Sequence, residues 1–449
     1  MNGTLPVSEA DIVRACGEIE LPEVGLIEQQ WDVDPIPVDS VADTGATAVA
    51  SLDFSQVPSG GEIAIGAGSR GIANLGPIVS GVVAGVRDAG YEPFVFPAMG
   101  SHGGATAEGQ REKLATLGVT EERLGCEIRS SMEVIEIGRT PERDVPVYVD
   151  ADAAQADGIL PVNRIKPHTD FSGDVESGLS KMLVIGMGKQ RGAKMAHDWA
   201  VDWSLRNMLP EITDRLLASL PVVGGVAIVE DQHDDTSIIE GVPPSGFLTR
   251  EAELLDIARE RMPRLPFEDI DVLIVDRLGK DVSGQGMDTN VTGRRHFTIN
   301  EPEPETPTIK RIYARGLTEK TSGNAMGMGA ADIVHKDLLS GLDMPKSLIN
   351  AITASTVRGV RLPPVVETDR AGVIATLGTC GPLEPSRARL LRISDTMHLA
   401  QCEASSALLE AARDRDDLRV LADAEPIRFD DDGAFERPTP GRDPMETPQ

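Results

Sequence analysis

From residue 61 the chain changes its hydrophobic period again and again. The short apolar runs in "EIAIG", "EPFVFPA", "ADGILPVN" and "GGVAIVED" read as buried strands. Helical spacing fills the gaps at Pro77–Ala89, Thr106–Leu117 and Ser204–Leu220, the last expected to break or restart at Pro210. Strands alternating with helices predict an α/β fold with mostly parallel sheets covered on both faces. The stretch up to Phe54 reads as a β-rich cover. "ERMPRLPFEDI", with two prolines and many charges, reads as a boundary. "DVLIVDRLG" then opens a second α/β unit, in which "AADIVHKDLLSGLD" reads as helical and "AGVIATLG" as a strand. The expected organisation is an N-terminal α/β catalytic and cofactor-binding domain over 1–265, a C-terminal α/β domain over 266–425, and a disordered or loosely docked tail over 426–449. The active site is expected in the cleft between the two domains.

Composition narrows the function classes. Asp and Glu number 72 against 43 Lys and Arg, a net charge of −29. Nucleic acid and anionic membranes are poor partners for such a surface. An acidic, Lys-poor surface is the look of a halophilic protein from a high-salt cytoplasm, where salt screens self-repulsion. The four cysteines are scattered and form no metal or disulfide pattern. No apolar run approaches membrane-helix length, and the N-terminus does not read as a signal peptide, so a cytoplasmic location is expected.

Candidate chemistry sits just after the expected strands. "GAGSRG" carries Ser69 and Arg70, "AMGSHGG" carries His102, and "NRIKPHTDFSG" carries His168. Ligands of open parallel sheets bind beyond the carboxyl ends of the strands, so Arg70, His102 and His168 are candidates for one crevice. Two histidines suit proton transfer on opposite faces of a carbon, and an arginine suits a carboxylate clamp. Taken literally, Gly66-x-Gly68-x-x-Gly71 is also a dinucleotide fingerprint, which would make the protein an NAD-dependent oxidoreductase. Against that reading, the second strand, "EPFVFPA", does not end in the acidic residue the ribose requires. Further on, "SGLSKMLVIGMGKQRGAKMAH" holds Lys181, Gly186, Gly188, a basic group of Lys189, Arg191 and Lys194, and His197. The glycines permit close approach of something bulky, and the basic group suits a phosphate or a solvated helix face.

Taken together, Arg70 in "GSRG", His102 in "GSHGG", His168 in "KPHTDFSG", Lys181 in "SGLSK" and His197 in "AKMAH" resemble, in order and spacing, the nickel-pincer lactate racemase family. The resemblance implies an isomerase, a 2-hydroxyacid racemase or epimerase, working with a nickel-pincer nucleotide, a pyridinium-3,5-bisthiocarboxylic acid mononucleotide. It implies that Lys181 carries this group, that His197 is the nickel ligand, and that His102 and His168 are the acid and base. Ser69, Lys189, Gly186 and Gly188 would help bind the group. Partners implied are a small 2-hydroxy acid and the cofactor-synthesis enzymes. The segment "SGQGMDTNVTGRRH" resembles a substrate-contact segment, with Arg294 or Arg295 where the family has a Lys and with Val291 and Thr292 where Tyr and Gln are common. These departures point to a substrate other than plain lactate, such as a larger or doubly charged hydroxy acid. A non-catalytic nickel- or nucleotide-binding relative is the remaining alternative.

Overall fold

A computed structural model describes residues 5–69, 71–295 and 298–441. The chain forms two compact units, Val33–Met262 and the remainder. The amino-terminal residues up to Asp32 supply β1 (Pro6–Val7) and β2 (Glu23–Gln29). Unit 33–262 contains β3 (Glu62–Ala67), β4 (Glu92–Pro97), β5 (Val134–Arg139), β6 (Pro146–Asp150), β7 (Gly158–Arg164), β8 (Gly225–Glu230) and β9 (Thr236–Val242). Beyond it come β10 (Asp269–Leu278), β11 (Thr308–Leu317), β12 (Ile333–His335), β13 (Val365–Val366), β14 (Leu390–Ile393), β15 (Gln401–Ser405) and β16 (Leu418–Pro426). Both large sheets are mostly parallel, as the alternating pattern requires. Among the described residues no helix is long and apolar enough to cross a membrane.

Unit 33–262 is a five-stranded sheet in the order β4-β3-β7-β8-β9, parallel except for β9. Period-2 alternation assigns its two faces. Ile63, Ile65, Leu160, Val162, Val226 and Ile228 pack on helices Val41–Ala50 and Leu75–Asp88. Ala64, Phe94, Phe96, Ile159, Ala227 and Val229 pack on the opposite layer, which includes helices Leu205–Ser219 and Arg250–Arg261. Burial on both faces is why these strands read as nearly continuous apolar runs. Helix Leu205–Ser219 runs through Pro210 rather than restarting there. Its buried Met208, Leu209, Ile212 and Leu216 hold it on the sheet despite the missing donor.

The other unit is a nine-stranded sheet, β1-β13-β12-β11-β10-β14-β15-β2-β16. Four expectations are corrected here. "AADIVHKDLLSGLD" is not one helix: its Ile333–His335 forms β12, and only Lys336–Ser340 is helical. The first 32 residues do not cover the N-terminal domain: β2 lies antiparallel between β15 and β16, with Ile27 fully buried opposite Cys402 and Val420. "AGVIATLG" lies in a helix, Asp369–Gly378, capped by the Thr368 hydroxyl and buried along nearly its whole length. An apolar run without periodicity cannot distinguish that from a strand. Residues 427–437 of the supposed tail are docked. Phe435 donates its N–H to Asp369 (3.1 Å), and its ring lies over the guanidinium groups of Arg392 and Arg315 (4.3 and 5.0 Å). Those arginines grip the carboxylates of Asp276 and Asp369 in bidentate fashion, so the tail closes a buried, charge-balanced network.

Candidate active site

The connection from β3 runs to β4 on one side, and the connection from β7 runs to β8 on the other. The crevice beyond the carboxyl ends of β3 and β7 is therefore a topological switch point, where ligands bind in open α/β sheets. The loop after β3 does not build a dinucleotide turn. Gly66 lies inside the strand, paired with Phe96 and Pro161. Gly68 is required by its neighbour, because a Cβ there would stand 2.5 Å from Asn163 Oδ1. The Glu230 carboxylate accepts the Ala73 N–H at 2.7 Å, placing negative charge just before helix Leu75–Asp88. A pyrophosphate at that helix end would find the Ala73 N–H already taken. Arg164 pairs with Glu230 and donates to the Gly71 carbonyl at 3.3 Å. Arg70 lies outside the described residues, but both flanks of its position are anchored: Gly71 by Arg164, and Ser69 by His102.

His102 follows β4, with its Nδ1 2.6 Å from Ser69 Oγ. Its loop is clamped from below. Gln110 donates to the carbonyls of Gly100 (2.8 Å) and His102 (3.3 Å). Lys189 donates to the Pro97 carbonyl (2.5 Å), and its Nζ lies 2.9 Å from Asp150 Oδ2. Gln110, Lys189 and Asp150 are all fully buried. Burial lowers the Lys189 pKa, and Asp150 opposes that shift. The Gly100 N–H donates to the Gly186 carbonyl (3.1 Å), and a Cβ on Gly186 would stand 2.6 Å from the Ala98 carbonyl oxygen.

His168 follows β7 and is nearly buried. The Asp170 N–H donates to its Nδ1 at 2.9 Å, and Phe171 packs on the ring at 4.6 Å. An Nδ1 that accepts carries a lone pair, so the neutral ring has its proton on Nε2. The loop is held by buried Glu176, which accepts the N–H groups of His168 (2.5 Å) and Gly173 (3.0 Å) and pairs with Arg259 (2.7 Å). The two histidines therefore differ. His168 is fixed as an Nε2–H donor, while His102 faces a hydroxyl that can donate or accept.

Lys181 is partly exposed at the end of the short helix Leu179–Lys181, which continues as the wide turn Met182–Gly186. Asn163 Nδ2, at the end of β7, donates to the Gly178 carbonyl (2.9 Å) and seats this turn beside the strand. Glu251 Oε2 accepts from the Ser180 N–H (2.9 Å) and hydroxyl (2.8 Å). A Cβ on Gly178 would overlap Glu251 Oε1. Burial raises the Glu251 pKa to about 7 from 4.5, with the Ser180 bonds opposing. In the unfolded chain this carboxyl ionises near 4.5, so its contribution to stability is complete below that pH and is lost as pH rises through about 7. Glu251→Gln should therefore remove about 3 kcal/mol of pH-dependent destabilisation. Urea unfolding at several pH values checks this: between pH 5 and 8 the variant should lose less stability than the parent, and parallel curves would refute it.

His197 is partly exposed on helix Lys189–Trp203, which starts after a break at Lys189 (φ +51°) and packs back on 182–186. Several expected contacts fall elsewhere. The ammonium of Lys189 is held inside the protein by Asp150 and Pro97, so it does not meet a ligand phosphate. Gly186 and Gly188 give close backbone packing rather than room for a cofactor; a Cβ on Gly188 would stand 2.8 Å from Gly192 Cα. Arg294 is bound to Asp332 (2.7 Å) and to the carbonyls of Ala330 and Ile309. Arg295 is 1% exposed, and Val291 and Thr292 are equally buried, so this segment packs rather than presenting a clamp. Ser69 is committed to His102. Of the supporting groups, Gln110, Asp150, Glu176 and Glu251 lie outside the quoted motifs, while Asn163, Arg164 and Glu230 fall at the ends of expected strands without a signal of their role.

No protein-family description matches the chain, and no curated protein does. Among solved structures it is similar to the lactate racemase apoprotein from Thermoanaerobacterium thermosaccharolyticum. The two are 11% identical, with a TM-score of 0.43, over 83% of this chain and 88% of that one.

Proposed function

We propose that the chain is a racemase or epimerase of a 2-hydroxy acid, acting with a nickel-pincer nucleotide. The observation that carries this reading is the placement of His102 and His168 at the carboxyl ends of the two strands that flank β3, each loop held by buried groups, with the Lys181 turn seated beside β7. Two proton-handling side chains on either side of one strand end suit a carbon inverted between two faces.

The residues fit the implied group at one end. Lys181, a partly exposed residue, would carry the group on its amine, and His197, also partly exposed, would offer its imidazole to nickel. Among the described residues no three His, Cys, Asp or Glu side chains cluster to hold a metal ion, so a nickel at His197 needs donors that the group brings. The phosphate end has no partner in Lys189, whose charge is already matched. When bound, the group supplies a reversible acceptor for the hydride at C2. The chain positions and moves protons. His102 takes the substrate hydroxyl proton at Nε2, with Ser69 Oγ accepting from Nδ1–H. His102 returns that proton to the oxygen of the inverted product, and the His168 Nε2–H hydrogen-bonds a substrate oxygen without transferring its proton. Arg70 clamps the carboxylate. The NAD alternative is disfavoured because Glu230 already takes the Ala73 N–H at the helix end. The test is intact-mass and metal analysis of the protein made together with cofactor-synthesis enzymes, which should show a nickel-containing adduct on Lys181.

A further inference from the structure

Helix Met344–Thr353 is packed inside out. Its buried residues are small, Ser347 and Ala351. Its large aliphatic residues face solvent: Ile349 is 66% exposed and Ile352 59%, with Leu348 and Met344 beside them. Val357, 55% exposed in the turn Val357–Val360, extends the patch, since that turn packs against the helix. A surface helix ordinarily buries its apolar stripe, and a contiguous exposed one marks a contact surface.

Charge indicates what covers it. Acidic residues make up 72 of the 449, about one in six, yet none occurs from 344 to 366. The same stretch carries Lys346, Arg358 and Arg361, all exposed. The nearest preceding carboxylate, Asp343, accepts the Lys346 N–H at 3.0 Å as the helix cap. Two copies of a chain with net charge −29 repel over most of their surfaces. They can approach where acids are missing and local cations offset the surrounding negative field. An aliphatic stripe is also self-complementary, as a two-fold contact requires. We propose that this face pairs with the same face of a second copy, with helices Met344–Thr353 packed antiparallel about a two-fold axis and Leu348, Ile349 and Ile352 at the centre.

Sedimentation velocity of the full chain tests this. The wild type should dimerise, and the dimer should tighten at least about tenfold as KCl rises from about 0.1 M to about 1 M, because salt screens the −29 charges while apolar contact persists. Ile349→Asp combined with Ile352→Asp should give a monomer with an unchanged melting temperature. Leu421→Asp, at an exposed aliphatic residue on β16, should leave the dimer intact. A wild type that stays monomeric at every salt concentration would overturn the proposal and leave the face to a different protein. So would a dimer that survives the double substitution.

Discussion

His102→Ala should slow the proposed racemisation of a 2-hydroxy acid by at least about a hundredfold, the usual contribution of a positioned proton-transfer group. The imidazole is the group proposed to take the hydroxyl proton, and the Ser69 hydroxyl beside it is too weak a base to take its place. His168→Ala should fall as far, but the glutamine variants should separate the two. His168 is held as an N–H donor by the Asp170 N–H at its Nδ1, and a glutamine amide also donates an N–H. His168→Gln should therefore keep a measurable part of the rate. His102→Gln should be as slow as His102→Ala, because an amide does not take up a proton near neutral pH. Chiral chromatography of product against time gives both rates. Equal losses in the two glutamine variants would overturn the division of roles.

Lys189→Met should destabilise unit 33–262 by about 3–5 kcal/mol, the cost of leaving a buried carboxylate without its counter-charge. Asp150 is fully buried, and its other oxygen already accepts the N–H groups of Asp152 and Ala153, both at 2.9 Å. Adding Asp150→Asn removes the unpaired charge and keeps an oxygen for those donors, so the double variant should recover a large part of the loss. Guanidinium or urea unfolding measures each step. A loss below about 1 kcal/mol in the single variant would mean that the ammonium is not the charge balancing Asp150.

The same basic run shows what the sequence could and could not convey. Lys189, Arg191 and Lys194 look alike in the chain, yet their helical positions give them different environments. Lys189 points inward to Asp150, Arg191 stacks on Tyr148 at 4.4 Å, and Lys194 pairs with Asp198 on the surface. The strands β3, β4, β7 and β8 were legible because burial on both faces leaves an unbroken apolar run, and the strand ends then located His102 and His168. The groups that hold those loops were not legible. Glu251 reaches Ser180 across 71 residues and Gln110 meets Lys189 across 79, and no local pattern records such contacts. Strand β2 finds its partners more than 370 residues later, so the first 32 residues could not be assigned to their unit from their own composition. Helix Asp369–Gly378 has the pattern of a strand in the sequence because it is buried nearly all round and lacks a polar stripe.

The most direct measurement is the intact mass of Lys181-containing protein produced alongside cofactor-synthesis enzymes, with nickel counted in the same sample and Lys181→Ala as the control. A 2-hydroxy acid racemase built as proposed carries one adduct, mapped by peptide analysis to Lys181, and about one nickel per chain, and both vanish in the control. Unmodified, nickel-free protein from that preparation, still folded and with Lys181 intact, would contradict the assignment.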